Sequence, residues 1–147
     1  MNKYPTANRK FIILEGCDRT GKSTAWLEIN KLTKYSHYVL DRGPIGFLAY
    51  DIRYKKGNDL ISRHYEDLIK LSETKDIVVL YFYADEKVLQ ERVENTGHEF
   101  IDYKDDFEAY EKSLRIAKNL GIKVYTLDTT EIHVSDHIKN LISEGVL

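Results

Sequence analysis

The stretch that decides the fold is residues 11–24, which read FIILEGCDRTGKST. It opens with four consecutive apolar residues, which is typical of a strand buried on both faces of a parallel sheet. A glycine-bearing loop follows, and apolar residues then recur at helical spacing at Ala25, Ile29 and Leu32. The sequence therefore predicts a strand, a loop and a helix, in that order, across residues 10–33.

The loop in this unit fits the pattern G-x-x-x-x-G-K-[ST], which defines a P-loop, at residues 16–23. Its glycines let the backbone curl so that successive N–H groups point at phosphate oxygens, and the next helix directs its positive end there. The lysine, here Lys22, reaches the β- and γ-phosphates, and the hydroxyl, here Ser23, ligates Mg²⁺. A chance match in a chain of this length has a probability of roughly 1 in 200. We therefore predict that the segment binds ATP, with Mg²⁺ as cofactor.

Strands and helices alternate along the rest of the chain. Further strands are predicted at residues 37–40, 77–83 and 122–127, and helices at 58–73, 85–94, 104–119 and over a closing segment from Val134 to Leu141. Residues 44–56 fit a helix less clearly. Such alternation forms parallel crossover units. The predicted fold is α/β, a three-layer P-loop NTPase fold with a small, mostly parallel sheet of four strands flanked by helices.

The length of 147 residues suits one domain, with residues 1–9 as an N-terminal arm and 95–103 as a lid-like loop. A net charge of −2 gives no electrostatic reason to expect non-specific nucleic-acid binding. The first ten residues do not read as a secretory signal, and no stretch has the length of a membrane span. With the single cysteine Cys17, no intrachain disulfide can form. We expect a cytoplasmic protein without a membrane partner.

Residues 10–24 resemble the opening of thymidylate kinases and related deoxynucleoside monophosphate kinases, in which an apolar strand precedes E-G-x-D-x-x-G-K-[ST]-T. Residues 41–50 resemble, less closely, that family's D-R-Y-x-x-S-x-x-A-Y, and residues 81–85 with Arg92 resemble its strand and helix before the lid. The layout is also similar to that of short P-loop proteins of phage type. The resemblance implies an ATP-dependent phosphotransferase that transfers the γ-phosphoryl group to a small-molecule acceptor, a deoxynucleoside monophosphate such as dTMP.

The resemblance also implies roles for individual residues. Asp41 would hold Mg²⁺ through water beside Ser23, Arg42 would grip the phosphate of the acceptor, and Asp18 would face the acceptor. Residues 128–130 follow the last predicted strand, where related kinases touch the adenine, but a cap of the next helix explains them equally well. The implied ATP-binding residues are Gly16, Cys17, Asp18, Arg19, Thr20, Gly21, Lys22, Ser23, Thr24 and Arg92.

Arg19 matches an arginine that one subclass of thymidylate kinases carries inside the P-loop. Phosphoryl transfer spreads negative charge over the equatorial oxygens, and a guanidinium placed there stabilises it. The other subclass carries basic residues in the lid, but residues 95–100 contain no lysine or arginine here. The implied catalytic residues are therefore Lys22, Arg19 and Asp41.

The chain departs from the family pattern at three positions and in the length of one interval. Thr96 stands where family members often have an arginine, and Gly43 and Gly46 replace an aromatic residue and a serine. Only 18 residues separate Lys22 from Asp41. In the family, this interval is much longer and carries a base-stacking aromatic residue and a phosphate-binding arginine, so the identity of the acceptor is the open question.

Two other functions fit these departures. One is a P-loop kinase for another acceptor, such as a polynucleotide 5′ end, which a basic groove from Arg53, Lys55 and Lys56 would favour. The other is an ATP-binding module without turnover, because the acceptor segment is short. The resemblance also implies a homodimer, since thymidylate kinases are often dimers.

Overall fold

The computed structural model describes residues 9–96 and 102–147. In chain order its elements are β1 (Phe11–Gly16), α1 (Lys22–Leu32), β2 (Tyr38–Asp41), α2 (Pro44–Arg53), α3 (Asn58–Ser72), β3 (Ile77–Tyr83), α4 (Glu86–Asn95), α5 (Tyr103–Asn119), β4 (Val124–Asp128) and α6 (Val134–Ser143). The strand–loop–helix unit predicted from residues 10–33 is confirmed. The ambiguous residues 44–56 form α2, which begins at a proline, a residue suited to the first helical turn.

Two predicted segments fall partly outside the described residues. Of the N-terminal arm only Arg9 is described, and residues 97–101 of the lid-like loop are not. The predicted last strand begins two residues late, at Val124. Ile122 instead closes α5, because its N–H donates to the Ala117 carbonyl oxygen after Gly121 has turned the chain with φ of 88°.

All four strands are parallel, in the order β2-β1-β3-β4. β1 and β3 are central, and their apolar runs are buried because helices cover both faces of the sheet. In register, Leu14 lies opposite Asp41 on one side and Leu80 on the other. The carboxyl ends of the strands therefore meet at one edge, where β1 leads into the P-loop.

Two apolar cores lie on opposite faces of this sheet. On one face, Ile12, Leu14 and Phe82 pack with Ile29 of α1 and Ile138 of α6. On the other face, α2, α3, α4 and α5 supply the apolar side chains that cover Ile13, Val79 and Tyr81. The three-layer α/β fold predicted from the sequence is confirmed. No helix in the described part of the chain is both long and apolar enough to cross a membrane.

Only α1 and a short turn separate the P-loop from β2, which forms one edge of the sheet. Trp26 of α1 reaches this edge, and its indole Nε1 donates to the Val39 carbonyl oxygen at 3.3 Å. Tyr38 and Leu40 of β2 remain 51% and 47% exposed. The long acceptor-binding interval expected from the resemblance therefore has no counterpart between Lys22 and Asp41.

Candidate functional site

Two glycines shape the P-loop between β1 and α1. Gly16 and Gly21 have φ values of 137° and 105°, which side-chain-bearing residues rarely adopt. A Cβ atom at Gly16 would lie 2.4 Å from the Phe82 carbonyl oxygen of β3, and one at Gly21 would lie 2.3 Å from Val134 Cγ2 of α6. Backbone conformation and close packing therefore both require glycine at these positions.

Lys22 begins α1 and lies under the loop, 9% exposed. Its Nζ donates to the Gly16 carbonyl oxygen at 2.6 Å and to the Cys17 carbonyl oxygen at 3.0 Å. Burial lowers the pKa of this ammonium group, and the positive charge of Arg42 lowers it further. Because the carbonyl partners are neutral, the ammonium charge is incompletely compensated, and a phosphate group would be a complementary partner.

A cavity of about 570 Å³ opens over the loop, and we call it the P-loop pocket. It is lined by Asp18, Arg19, Thr20, Gly21, Lys22, Ser23, Thr24, Asp41, Arg42, Arg92, Thr96, Thr129, His133 and Val134. The fold thus brings together all of the ATP-binding residues predicted from the sequence except Gly16 and Cys17. These two contribute the carbonyl oxygens that hold Lys22.

Cys17 contributes through its backbone rather than its thiol. Its carbonyl oxygen also accepts from Thr20 Oγ1 at 2.7 Å. Burial raises the pKa of the thiol to about 12, so the sulfur stays protonated at neutral pH and is a poor nucleophile.

Ser23 and Asp41 are exposed and line the same pocket. Their hydroxyl and carboxylate oxygens are the ligand types that Mg²⁺ prefers, so this pair fits the predicted ion. The described residues contain no group of three or more His, Cys, Asp or Glu side chains that could hold a metal. A magnesium ion here would therefore need phosphate oxygens and water to complete its octahedral shell.

Arg19 lies at the rim of the P-loop pocket with φ of 65°. Its Nη2 donates to Thr96 Oγ1 at the end of α4, at 3.3 Å. Arg19 Nε and the Tyr103 hydroxyl are buried, and the two side chains are neighbours. Thr96, which stands where the resemblance suggests an arginine, therefore helps to orient the arginine that the P-loop supplies.

Arg92 of α4 ties the P-loop to the loop after β4. Its Nη1 donates to the Arg19 carbonyl oxygen at 2.7 Å, and its Nη2 donates to the Thr129 carbonyl oxygen at 2.8 Å. Thr129 Oγ1 in turn donates to the Thr20 carbonyl oxygen at 2.9 Å. Arg92 thus lines the pocket as expected and also fixes the shape of the loop. The bracing role of Thr129 was not predicted from the sequence, in which its position just after a strand is the only signal.

A second cavity, of about 250 Å³, lies beside the P-loop between α2 and α5, and we call it the α2–α5 cavity. Its lining residues are Gly16, Cys17, Asp18, Arg42, Gly46, Ala49, Tyr50, Arg53, Tyr54, Asp106, Ala109 and Tyr110. Asp18 and Arg42 line both cavities and form an ion pair at 2.9 Å. The two residues predicted to bind the acceptor therefore lie together, where the cavities meet.

Glu15 is fully buried behind this cavity, at the end of β1. Its Oε2 accepts from the Gly46 N–H at 2.7 Å, and its Oε1 has no partner in the described structure. Burial raises the pKa of the carboxyl group to about 8. A Cβ atom at Gly46 would lie 2.5 Å from Oε1 and 3.0 Å from the Tyr110 hydroxyl, which explains why glycine replaces the expected serine. The sequence analysis assigned no role to this group, although an acid ending an apolar strand was a visible signal.

The basic groove considered for a polynucleotide is not a continuous positive surface. Arg53 Nε donates to Asp106 Oδ1 at 3.2 Å, and Arg53 Nη2 lies 3.6 Å from Asp105 Oδ2. Lys56 Nζ lies 5.8 Å from the centre of the Tyr50 ring. Two carboxylates therefore neutralise the arginine that would be at the centre of such a groove.

Comparison with known proteins agrees with this architecture. No protein-family model matches the chain. The chain is 26% identical, over 140 residues, to the SPbeta prophage-derived uncharacterized protein YorR of Bacillus subtilis (strain 168), covering 90% of this chain and 82% of that protein. The crystal structure of YorR in complex with phosphorylated GDP superposes with a TM-score of 0.71 and 25% identity, covering 94% of this chain and 96% of YorR.

A kinase of known class also shares the fold. Thymidylate kinase from Ehrlichia chaffeensis superposes with a TM-score of 0.58 and 11% identity, covering 95% of this chain and all of the kinase chain. At 11% sequence identity, this similarity supports a shared fold and does not indicate a shared substrate. The chain therefore has the α/β fold of P-loop kinases, with a four-stranded parallel sheet flanked by helices.

Proposed function

We propose that this protein is a nucleotide kinase that transfers the γ-phosphoryl group of ATP to a nucleoside monophosphate. The observation that carries the proposal is that two cavities meet at the Asp18–Arg42 pair, beside the buried Lys22 ammonium. The γ-phosphate of a triphosphate bound in the P-loop pocket would lie next to the phosphate of an acceptor bound in the α2–α5 cavity. In-line transfer requires this arrangement of donor and acceptor.

The residues around the junction supply the charges that this transfer needs. Lys22 would leave its carbonyl partners to bind the β- and γ-phosphates, and Arg19 would stabilise the equatorial oxygens in the transition state. Arg42 would leave its ion pair with Asp18 and bind the phosphate of the acceptor instead. A carboxylate and a phosphate are both anionic partners for a guanidinium group. Ser23 and Asp41 would hold Mg²⁺, whose charge neutralises the phosphate oxygens when it is bound.

The form of the α2–α5 cavity favours a small acceptor over a polymer. Its volume of about 250 Å³ suits a single nucleoside, and the arginine at its outer end is neutralised by carboxylates. The resemblance to thymidylate kinases makes dTMP the first acceptor to test. The phosphorylated GDP bound by the relative YorR supports a nucleotide ligand, and it adds guanine nucleotides to the panel.

A screen for ATP consumption tests the proposal. It contains Mg²⁺, the common deoxy- and ribonucleoside monophosphates and a 5′-hydroxyl oligonucleotide, each with ATP or GTP as donor. We expect a nucleoside monophosphate to stimulate the formation of ADP or GDP from the donor. We expect Lys22→Ala to abolish this stimulation. Lys31→Ala is the matched control, because Lys31 lies exposed at the end of the same helix.

The other outcomes identify the alternatives. Transfer to the oligonucleotide alone would establish a polynucleotide kinase. Binding of ATP without stimulation by any member of the panel would overturn the nucleoside monophosphate kinase and favour a nucleotide-binding module.

A further inference from the structure

Arg53 and Asp106 line the α2–α5 cavity but have no part in the phosphate chemistry described above. Arg53 is held from two sides, by Asp106 at 3.2 Å and by Asp105 at 3.6 Å. Its guanidinium carbon also lies 5.1 Å from the centre of the Tyr54 ring, within the range of a cation–π contact. The guanidinium direction is therefore set before any ligand binds, which reduces the entropy cost of recognition.

The position of this pair along α2 suits the nucleobase of an acceptor. Gly46, Tyr50 and Arg53 lie on successive turns of the same helix face, and all three line the cavity. At 1.5 Å per residue, Arg53 is about 10 Å further along the helix than Gly46, and Arg42 precedes the helix. A monophosphate whose phosphate meets Arg42 would therefore extend its base toward Arg53.

The pair leaves the Nη1 donors of Arg53 and one carboxylate oxygen of Asp106 available. Arg53 uses Nε and Nη2 for its carboxylate partners, and Asp106 uses Oδ1. Within residues 9–96 and 102–147, no hydrogen bond occupies Arg53 Nη1 or Asp106 Oδ2. An arginine can only donate and an ionised carboxylate can only accept, so this edge has a fixed polarity.

That polarity separates two classes of nucleobase. Guanine, thymine and uracil present a carbonyl acceptor next to a ring N–H donor, whereas adenine and cytosine present an amino donor next to a ring nitrogen acceptor. The first class would accept from Arg53 and donate to Asp106. Held in the same orientation by its phosphate at Arg42, the second class would place donor against donor and acceptor against acceptor, which is unfavourable in a partly buried site.

We propose that Arg53 and Asp106 form the base-reading pair of the acceptor site, and that the acceptor is a nucleotide with a keto base. This inference rests on the proposed function, because it takes the α2–α5 cavity as the acceptor site. The rings of Tyr50 and Tyr54, whose centres are 4.6 Å apart, add an aromatic surface beside the pair on which a base can stack.

Equilibrium binding measured by calorimetry without a donor nucleotide tests the pair independently of turnover. We expect dGMP, dIMP and dTMP to bind at least about 10-fold more tightly than dAMP and dCMP. The inosine nucleotide belongs with guanosine, because a single free carboxylate oxygen reads the ring N–H and not the 2-amino group. Asp106→Asn should abolish this preference, since an amide can donate as well as accept.

Asp105→Asn is the matched control, because Asp105 contacts Arg53 but does not line the cavity. It should retain the preference for keto bases. Arg53→Lys gives a second test, since it keeps the positive charge and removes the Nη1 donor, and it should also lose the preference. Thermal melts of each variant verify folding.

The possible outcomes separate this inference from the proposed function. Equal affinities for all bases, no binding of any monophosphate, or an unchanged preference in both Asp106→Asn and Arg53→Lys would overturn the base-reading pair. A clear keto preference without any phosphoryl transfer in the ATP screen would overturn the kinase and leave the base-reading pair in place.

Discussion

The P-loop pocket and the α2–α5 cavity are built in different ways, although they share Asp18 and Arg42. The P-loop pocket is formed largely by consecutive residues, and the backbone carbonyls of that loop hold Lys22. The α2–α5 cavity is lined mainly by residues of two helices that are separated in the chain by α3, β3 and α4. The proposed phosphate recognition is therefore local in sequence, whereas recognition of the proposed acceptor depends on how two distant helices pack.

The largest effect should come from Lys22→Ala, which breaks the P-loop pocket. We expect turnover to fall by at least about 100-fold with every acceptor, because one positioned charge at the transferring phosphoryl group is lost. Steady-state kinetics of ATP consumption measures the change, with Lys31→Ala as control. Turnover that survives in Lys22→Ala would show that the Lys22 ammonium does not act on the transferring phosphoryl group.

Gly46→Ala should act on the α2–α5 cavity and on stability, but not on the P-loop pocket. The added methyl group would overlap with Glu15 Oε1, so we expect a loss of about 1–3 kcal/mol in the free energy of unfolding. Affinity for the acceptor should fall while affinity for ATP stays unchanged. Urea denaturation and binding titrations measure these effects. Gly57→Ala is the control, because a Cβ atom there meets nothing within 4 Å, and equal losses in both variants would contradict the assignment.

The buried carboxyl group of Glu15 should make stability depend on pH. Its pKa of about 8 in the folded protein lies above the ordinary value of 4.5, so the folded state retains a proton that the unfolded chain releases. The free energy of unfolding should therefore decrease as pH rises from 4.5 to 8, by at most about 1.4 kcal/mol per pH unit, and level off above pH 8.

Glu15→Gln isolates this contribution, because the amide resembles the protonated carboxyl group and does not titrate. Urea denaturation over a pH series should show a flatter profile for this variant than for the unchanged protein. Parallel profiles for the two proteins would show that another group causes the slope.

The smallest effect on stability should come from Asp18→Asn at the junction of the two cavities. The Asp18–Arg42 pair is exposed, with side chains 66% and 43% accessible, so solvent screens their attraction. We expect the free energy of unfolding to change by less than about 0.5 kcal/mol. The urea midpoint measures this, and a shift several times larger would place the pair among the determinants of the fold.

The sequence predicted the parts of this molecule that depend on local pattern. Buried apolar runs indicated β1 and β3, and a glycine-rich loop followed by a lysine identified the P-loop pocket. Local sequence pattern could not predict contacts that depend on tertiary packing. The contact of Gly46 with Glu15 and the pairing of Arg53 with Asp106 exist only because α2 packs on β1 and α5. The base-reading pair therefore had no sequence signal, since its members are brought together only by that packing.

The Trp26 indole on the Val39 carbonyl oxygen also changes what the edge of the sheet offers to another chain. An open strand edge is a template on which another chain can add a strand, and this is a common start of aggregation. β2 is such an edge, yet it is only four residues long, ends in the charged Asp41 and has one outward carbonyl group already occupied by the indole. A strand added at this edge would thus have to displace an aromatic side chain that lines neither cavity.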